Sequence, residues 1–291
     1  MSTKLTLIEL YYTICHLYDT ILWPEVQRLT NNSCPKFTDE ECMTIYIFGI
    51  TQGIREKKAI HGFIKEYYSD WFPELPNYQN FSRRVNFLAP AFQLLNDVLC
   101  SEYTDDLLEP IHLIDSMPII VAGARRSGTA KVAKGLCNKG YCASKGIYFY
   151  GVKLHILGQK RFSTLPQMRL AEIEPAAEND ISVAKYHLNG RAYDLDMIGD
   201  KMYFNQNWME ELLSQNICLR TPIKLKKGQK ELSDDDKAFS KWVSSIRQPI
   251  ESLFAWIDRK TGIQSASGVR STDGLISFIF ARLASLNFSW A

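Results

Sequence analysis

The sequence predicts an α+β protein. An N-terminal all-helical domain over residues 1–109 precedes a mixed five-stranded sheet flanked by helices over residues 110–291. Three observations carry the prediction. Apolar residues recur at three-and-four spacing through the first hundred positions, the signature of amphipathic helices. From residue 110 the pattern changes to β-branched runs of strand length. After three such runs, helices and strands alternate, as in a sheet with a parallel part.

The helical half opens with "LTLIELYYTICHLYDTILWPEVQRL" and continues with "TDEECMTIYIFGITQ", where Thr38 and Glu41 have the spacing of a capping box. In "ELPNYQNFSRRVNFLAPAFQLLNDVL" a Pro/Asn break leads into an amphipathic helix with Arg83 and Arg84. That pattern fits either a helix-turn-helix reader or a small bundle. "SEYTDDLLEP" closes the unit.

The strands are "IHLIDSMPIIVA", "IYFYGVKLHIL" and "LPQMRLAEIEP", then "DLDMIGDKMYF" and "NICLRTPI". A short helix over about Asp180–Leu188 precedes the fourth strand, and another around Trp208–Leu213 precedes the fifth. A charged loop, "KLKKGQKELSDDD", leads to a long helix over about Asp234–Lys260. This element order is that of the ribonuclease-H-like fold, in which the first and fourth strands can lie side by side.

Composition narrows the function classes. The 291 residues are 46% hydrophobic and 23% charged, ordinary values for a globular protein. No apolar run approaches the roughly 18 residues of a membrane helix, and the N-terminal stretch lacks a signal-peptide layout, so the expectation is a cytoplasmic protein without a membrane partner. Seven scattered cysteines, Cys15, Cys34, Cys42, Cys100, Cys137, Cys142 and Cys218, are odd in number and argue against a disulfide framework. Only Cys137 and Cys142 lie close together, and no further pair or spaced histidines complete a zinc site.

The net charge of +2 conceals an uneven distribution. Residues 116–171 hold no Asp or Glu but ten Lys or Arg, among them Arg125, Arg126, Lys139, Lys145 and Lys153, interleaved with Tyr141, Tyr148, Phe149 and Tyr150. A basic stretch with aromatics is the footprint of a protein that holds a phosphate backbone. A solvated face compensated by nearby acidic segments is the alternative.

Two acids sit where strands should be buried. Asp115 interrupts "IHLIDSMPIIVAG", and Asp200 falls near the end of the fourth strand. A buried carboxylate needs a cation, hydrogen bonds or an exposed strand end. Asp115 therefore either has such a partner or caps a fraying strand; adjacent first and fourth strands would bring the two acids together. In the long helix, Phe239, Trp242, Val243, Ile246, Ile250, Leu253, Phe254 and Ile257 form the expected core stripe. Arg247 and Glu251 lie one turn apart on its edge, and Pro249 should kink the helix just before Glu251. Alone, that pair reads as an ordinary helical ion pair. Together, the three carboxylates form a hard-oxygen set suited to two Mg²⁺ or Mn²⁺ ions and in-line phosphoryl transfer.

The strings "LIDSMPI", "KGYCASKGIYFYGVKLHILG", "IGDKMYF" and "IRQPIESLFAWIDRK", with "FPELPNYQNFSRRVNFL" ahead of them, resemble a DDE transposase of a bacterial insertion sequence, most closely the nine-eighty-two family. The resemblance implies cleavage at element ends followed by attack of the freed 3′-hydroxyl on target DNA. It makes Asp115, Asp200 and Glu251 catalytic metal ligands. It sets Arg247 against DNA phosphate, with Lys153, Arg125, Arg126 and Lys260 as further DNA-binding residues. It also implies double-stranded DNA partners (terminal inverted repeats and target), a homodimer or larger assembly, and a nucleoid-associated location. Two positions depart from the broader transposase pattern: Ser244 stands where a tyrosine is usual and Asp258 where a basic residue is usual, with Arg259 or Lys260 as substitutes. Those departures keep open a catalytically silent end-binding repressor or DNA-binding module, and the same acids would serve a nuclease that cuts without joining. The string "GVKLH", with Lys153 and His155, has no assigned role beyond packing or backbone contact.

Overall fold

The computed structural model describes residues 3–28, 35–102, 106–143, 145–188, 194–225 and 228–290. Cys34 and part of the expected 101–110 boundary fall outside them. The chain divides into two units. One comprises residues 1–99, 131–135 and 257–291, the other residues 100–130 and 136–256.

The first unit is helical: α1 (Thr3–Leu17), α2 (Asp39–Thr51), α3 (Lys57–Tyr67), α4 (Tyr78–Phe87), most of α5 (Ala89–Glu102) and α9 (Thr272–Trp290). Helix α2 is its centre, since "CMTIYIFGI" is apolar on every side and every residue from Cys42 to Ile50 is buried. The capping box forms: Thr38 Oγ1 accepts from the Glu41 amide at 3.2 Å, and Glu41 Oε2 accepts from the Thr38 amide at 2.6 Å. Asp39, in the first turn of α2, is buried and accepts from Arg28 (2.5 Å), Arg84 (2.7 Å) and Tyr18 (2.9 Å). Arg84 therefore faces inward, while Arg83 is exposed.

Helix α9 is a finding of the structure. The sequence expectation placed all of 110–291 in one domain, yet α9 packs on α2 and α4. Its Leu275, Ile279, Phe280 and Leu283 are fully buried, and so is Arg282, whose guanidinium donates to the carbonyls of Arg55 (2.6 Å), Phe278 (3.0 Å) and Thr261 (3.2 Å) and to Tyr46 Oη (3.3 Å). Those bonds tie the end of the preceding helix to the helical unit. Gly262 terminates that helix with φ of +66°, a left-handed conformation that glycine adopts without strain.

The second unit is a mixed sheet with helices. Its strands are β1 (Leu108–Ala122), β2 (Asn138–Cys142), β3 (Ile147–Arg161), β4 (Gln167–Pro175), β5 (Leu195–Gly199) and β6 (Ile217–Arg220). The sheet has six strands rather than five, because "NKGYC" pairs with the start of β3. Strand β3 carries β1 along one edge, and β2 then β4 in succession along the other. Gly151 lies at the junction, where a Cβ would meet the Ile119 carbonyl oxygen at 2.0 Å. Strands β1 and β5 are parallel neighbours, and β5 pairs in parallel with β6. Helices α6 (Asp180–Leu188) and α7 (Gln206–Leu213) cover one layer, closing a core of Ile114, Leu157, Leu188, Met197, Tyr203, Trp208 and Ile217. The other five strands keep the order β4-β3-β1-β5-β6, compatible with the ribonuclease-H-like expectation.

Helix α8 (Asp234–Thr261) runs unbroken through Pro249 and ends close to the expected residue. Its core stripe is shorter than expected. Val243, Ile250, Leu253, Phe254 and Ile257 are buried, but Phe239 and Trp242 are exposed, because the first turns of the helix have little protein against them. Among the described residues no helix is long and apolar enough to cross a membrane.

Candidate functional site

The register of the parallel pair positions the two strand acids. Ile114 is level with Gly199, so the residues that follow, Asp115 and Asp200, emerge side by side where β5 ends and β1 continues. Beyond Gly199 the chain turns at once. Asp200 caps a short 3₁₀ turn, Lys201–Tyr203, by accepting from the Met202 amide at 2.6 Å, so "KMYF" is not part of the strand.

The third acid arrives from α8. Arg247 Nη1 donates to Asp115 Oδ2 at 2.6 Å, while Nη2 donates to Glu251 one turn further along. One guanidinium thus bridges the strand acid and the helix acid. The side chains of Arg247 and Asp115 are each 18% exposed, whereas that of Glu251 is 55% exposed. Desolvation pushes the Asp115 carboxyl up to about 7. Arg247 and a hydrogen bond from the Ser116 amide oppose the rise, while the neighbouring charges of Asp200 and Glu251 add to it. The alternatives left open for Asp115 are thereby resolved: it has a partner, and the partner is a cation of the protein's own.

Three carboxylates are the hard donors that Mg²⁺ or Mn²⁺ prefers, so the donor set fits such ions by chemistry. Among the described residues, however, no three His, Cys, Asp or Glu side chains converge closely enough to hold one ion together. Arg247 lies between two of the three.

The remaining expected residues fall in several places. Arg125 and Arg126 are exposed in a 3₁₀ turn after β1. Lys153 is not free for a phosphate: its ammonium donates to Asp180 Oδ1 and to the Glu178 carbonyl, both at 2.8 Å, because it faces the start of α6. His155 is buried, and desolvation, with smaller lowering by Lys153 and His187 against a rise from Asp180, brings its pKa down to about 4, so it is neutral and belongs to the packing. Lys260 is exposed in the last turn of α8 and belongs to the helical unit. Ser244 donates to the Ser240 carbonyl (2.8 Å), and Asp258 accepts from the Gln264 amide (3.0 Å). Among the described residues, Cys15, Cys42, Cys100, Cys137, Cys142 and Cys218 form no disulfide.

Sequence reasoning missed two neighbours of the acids. Tyr203 is fully buried, its hydroxyl lacks a hydrogen-bond partner, and burial with the charges of Asp180, Asp115 and Asp200 raises its pKa. Asp180, at the start of α6, receives Lys153 and lies 3.4 Å from Ser116 Oγ. The aromatic three positions after an acid in "GDKMYF" was the available signal for Tyr203; nothing local marked Asp180.

A strand-end pair of acids and a helix acid one turn from an arginine thus lie together on the mixed sheet. Residues 106–264 match the family model described as "Transposase DDE domain", more than half of the chain, and the protein belongs to that family. No curated protein matches it. Among solved structures it is similar to the Drosophila P element transposase strand transfer complex, at 16% identity and a TM-score of 0.31. That match covers 72% of this chain and 47% of the other, a likeness too slight to bear on function.

Proposed function

We propose that the protein is a transposase of a bacterial insertion sequence, of the nine-eighty-two type, which cleaves element ends and joins the freed 3′-hydroxyl to target DNA. The observation that carries this reading is the convergence on Arg247 of acids from β1 and α8, beside Asp200 at the end of β5, in a chain of the DDE family. Asp115, Asp200 and Glu251 would hold two Mg²⁺ or Mn²⁺ ions. Bound there, the ions would activate an attacking oxygen and stabilise the leaving one.

The chain's own residues have separable tasks in this scheme. Arg247 neutralises Asp115 and Glu251 and keeps them in place; once released from them, its fork-shaped guanidinium suits a DNA phosphate. Tyr203 fills the space next to Gly199 and supports the turn that presents Asp200. Arg125 and Arg126 supply exposed positive charge for the phosphate backbone, whereas Lys153 secures α6 through Asp180. The helical unit takes recognition of the terminal repeats, and synapsis of two ends calls for a dimer or larger assembly in a cytoplasmic, nucleoid-associated setting.

Labelled DNA from the gene's own flanks, incubated with Mg²⁺ or Mn²⁺, tests the reading. The wild type should make discrete metal-dependent nicks and strand-transfer products, and Asp115→Asn should bind the DNA without cutting it. Retained cleavage in that variant would overturn the site assignment. A second reading, an end-binding repressor, is favoured by the position of Arg247, which already satisfies two of the three acids. Specific binding without cleavage by the wild type would select it.

A further inference from the structure

The added strand β2 forms a hairpin with β3 whose two faces differ. One face is anchored: Cys142 and Phe149 are buried with Ala176, and Ile120 and Ile147 pack against them. The other presents Tyr141 and Tyr148, directly opposite one another in the antiparallel register, with ring centroids 4.9 Å apart and planes at 50°. Cross-strand pairing explains their contact. It does not explain why both rings stay open, at 51% and 55% exposure. Lys139 lies on the same hairpin with its ammonium 4.8 Å from the Tyr148 ring centre, and Lys145 is exposed near the turn. The surrounding stretch of sequence, residues 116 to 171, holds ten Lys or Arg and no Asp or Glu.

We infer that the Tyr141–Tyr148 pair is a stacking platform for unpaired bases of bound DNA, with Lys139 and Lys145 drawing in the adjoining phosphates. The inference rests on the DNA reading proposed above and adds a contact surface to it. Charge complementarity selects the occupant: a pair of exposed aromatic rings with two lysines beside it suits the π-face of a base next to a phosphate, and the preference would be for unstacked bases of any sequence. Tyr148 lies eight residues along β3 from Ile156, the partner of Asp115, which is roughly 26 Å of strand. Substitutions at the platform therefore leave the acids and Arg247 untouched.

The test measures binding of the full chain to two labelled probes of identical length, a fully paired duplex from the gene's flanks and the same duplex with an internal run of unpaired thymines. The wild type should prefer the second probe about tenfold. Tyr141→Ala/Tyr148→Ala should lose that preference yet keep the salt dependence of binding, because no charge is removed. Tyr141→Phe/Tyr148→Phe should retain the preference, and Lys139→Ala should lower the slope of log affinity against log salt by about one on the unpaired probe. Unchanged preference in the alanine pair, with duplex binding intact, overturns the platform alone. Equal loss in the phenylalanine pair also overturns it, since rings are then not what binds. A wild type that binds neither probe overturns the platform and the DNA reading together.

Discussion

Replacing Arg247 by Gln should destabilise the sheet unit in a way that depends on Asp115. Two unit charges about 4 Å apart at an effective dielectric of about 20 attract by roughly 4 kcal/mol. Taking both partly out of water offsets about half of that, leaving a net of about 2 kcal/mol for the Arg247–Asp115 bond. The Glu251 bond adds at most about 0.5 kcal/mol, because that carboxylate is more than half exposed. The single variant should therefore cost up to about 2 kcal/mol at a pH above 7, where the Asp115 carboxyl is ionised, and less below it, where the carboxyl takes up a proton instead. Asp115→Asn/Arg247→Gln should cost much less than the two single changes added together. Urea unfolding followed by intrinsic fluorescence, with a chelator present, gives the double-mutant cycle. A coupling energy below about 0.5 kcal/mol would refute the view that the arginine serves as the acid's internal counter-ion.

Two further outcomes follow from buried ionisable groups. His155 is held near 4 by burial, below the 6.5 of an unfolded chain, so the unfolded state takes up its proton first as pH falls. Its contribution is complete above about pH 6.5 and is lost towards pH 4, about 2 kcal/mol being gone at pH 5. His155→Gln should flatten the pH dependence of urea unfolding by that amount, and an unaltered slope would count against a neutral buried imidazole. In the helical unit, Asp39→Ala should cost about 3–5 kcal/mol in the same assay, because it leaves Arg28 and Arg84 facing a void. A loss under 1 kcal/mol would show that solvent already satisfies them.

The parts of the fold that were legible in the sequence are those with local signals or a recognisable order of elements. The Thr38–Glu41 capping box and helix α6 have local cues, the parallel pairing that sets Asp115 beside Asp200 follows from the element order, and each is present. Helix α9 had none: "LISFIFARLASLNF" has apolar residues on every side, so it lacks the stripe that marks a helix, and the helices it packs on lie more than 180 positions away in the chain. Strand β2 was missed because "NKGYC" is short and polar and acquires its pairing from β3. Phe239 and Trp242 continue the periodicity of α8 beyond the region that has anything to pack on, and periodicity alone does not report where a core ends. At the site, residue types and spacing pointed to the acids. That Arg247 reaches both Asp115 and Glu251 depends on a contact across 132 positions, which no local pattern encodes.

The sheet also shows how such a chain avoids pairing with its own copies. Among the described residues no strand lies on the outer side of β4, an arrangement that invites edge-to-edge aggregation. It is preceded by Pro166, ends in Pro175, carries Arg169, Glu172 and Glu174, and shifts register where Leu157 gives way to Gly158 on its neighbour. The opposite edge, β6, is only four residues long. Prolines, charges, an irregular register and brevity each make a poor template for an incoming strand. Any contact between copies of the chain would then proceed through side-chain surfaces and leave the sheet edges unused.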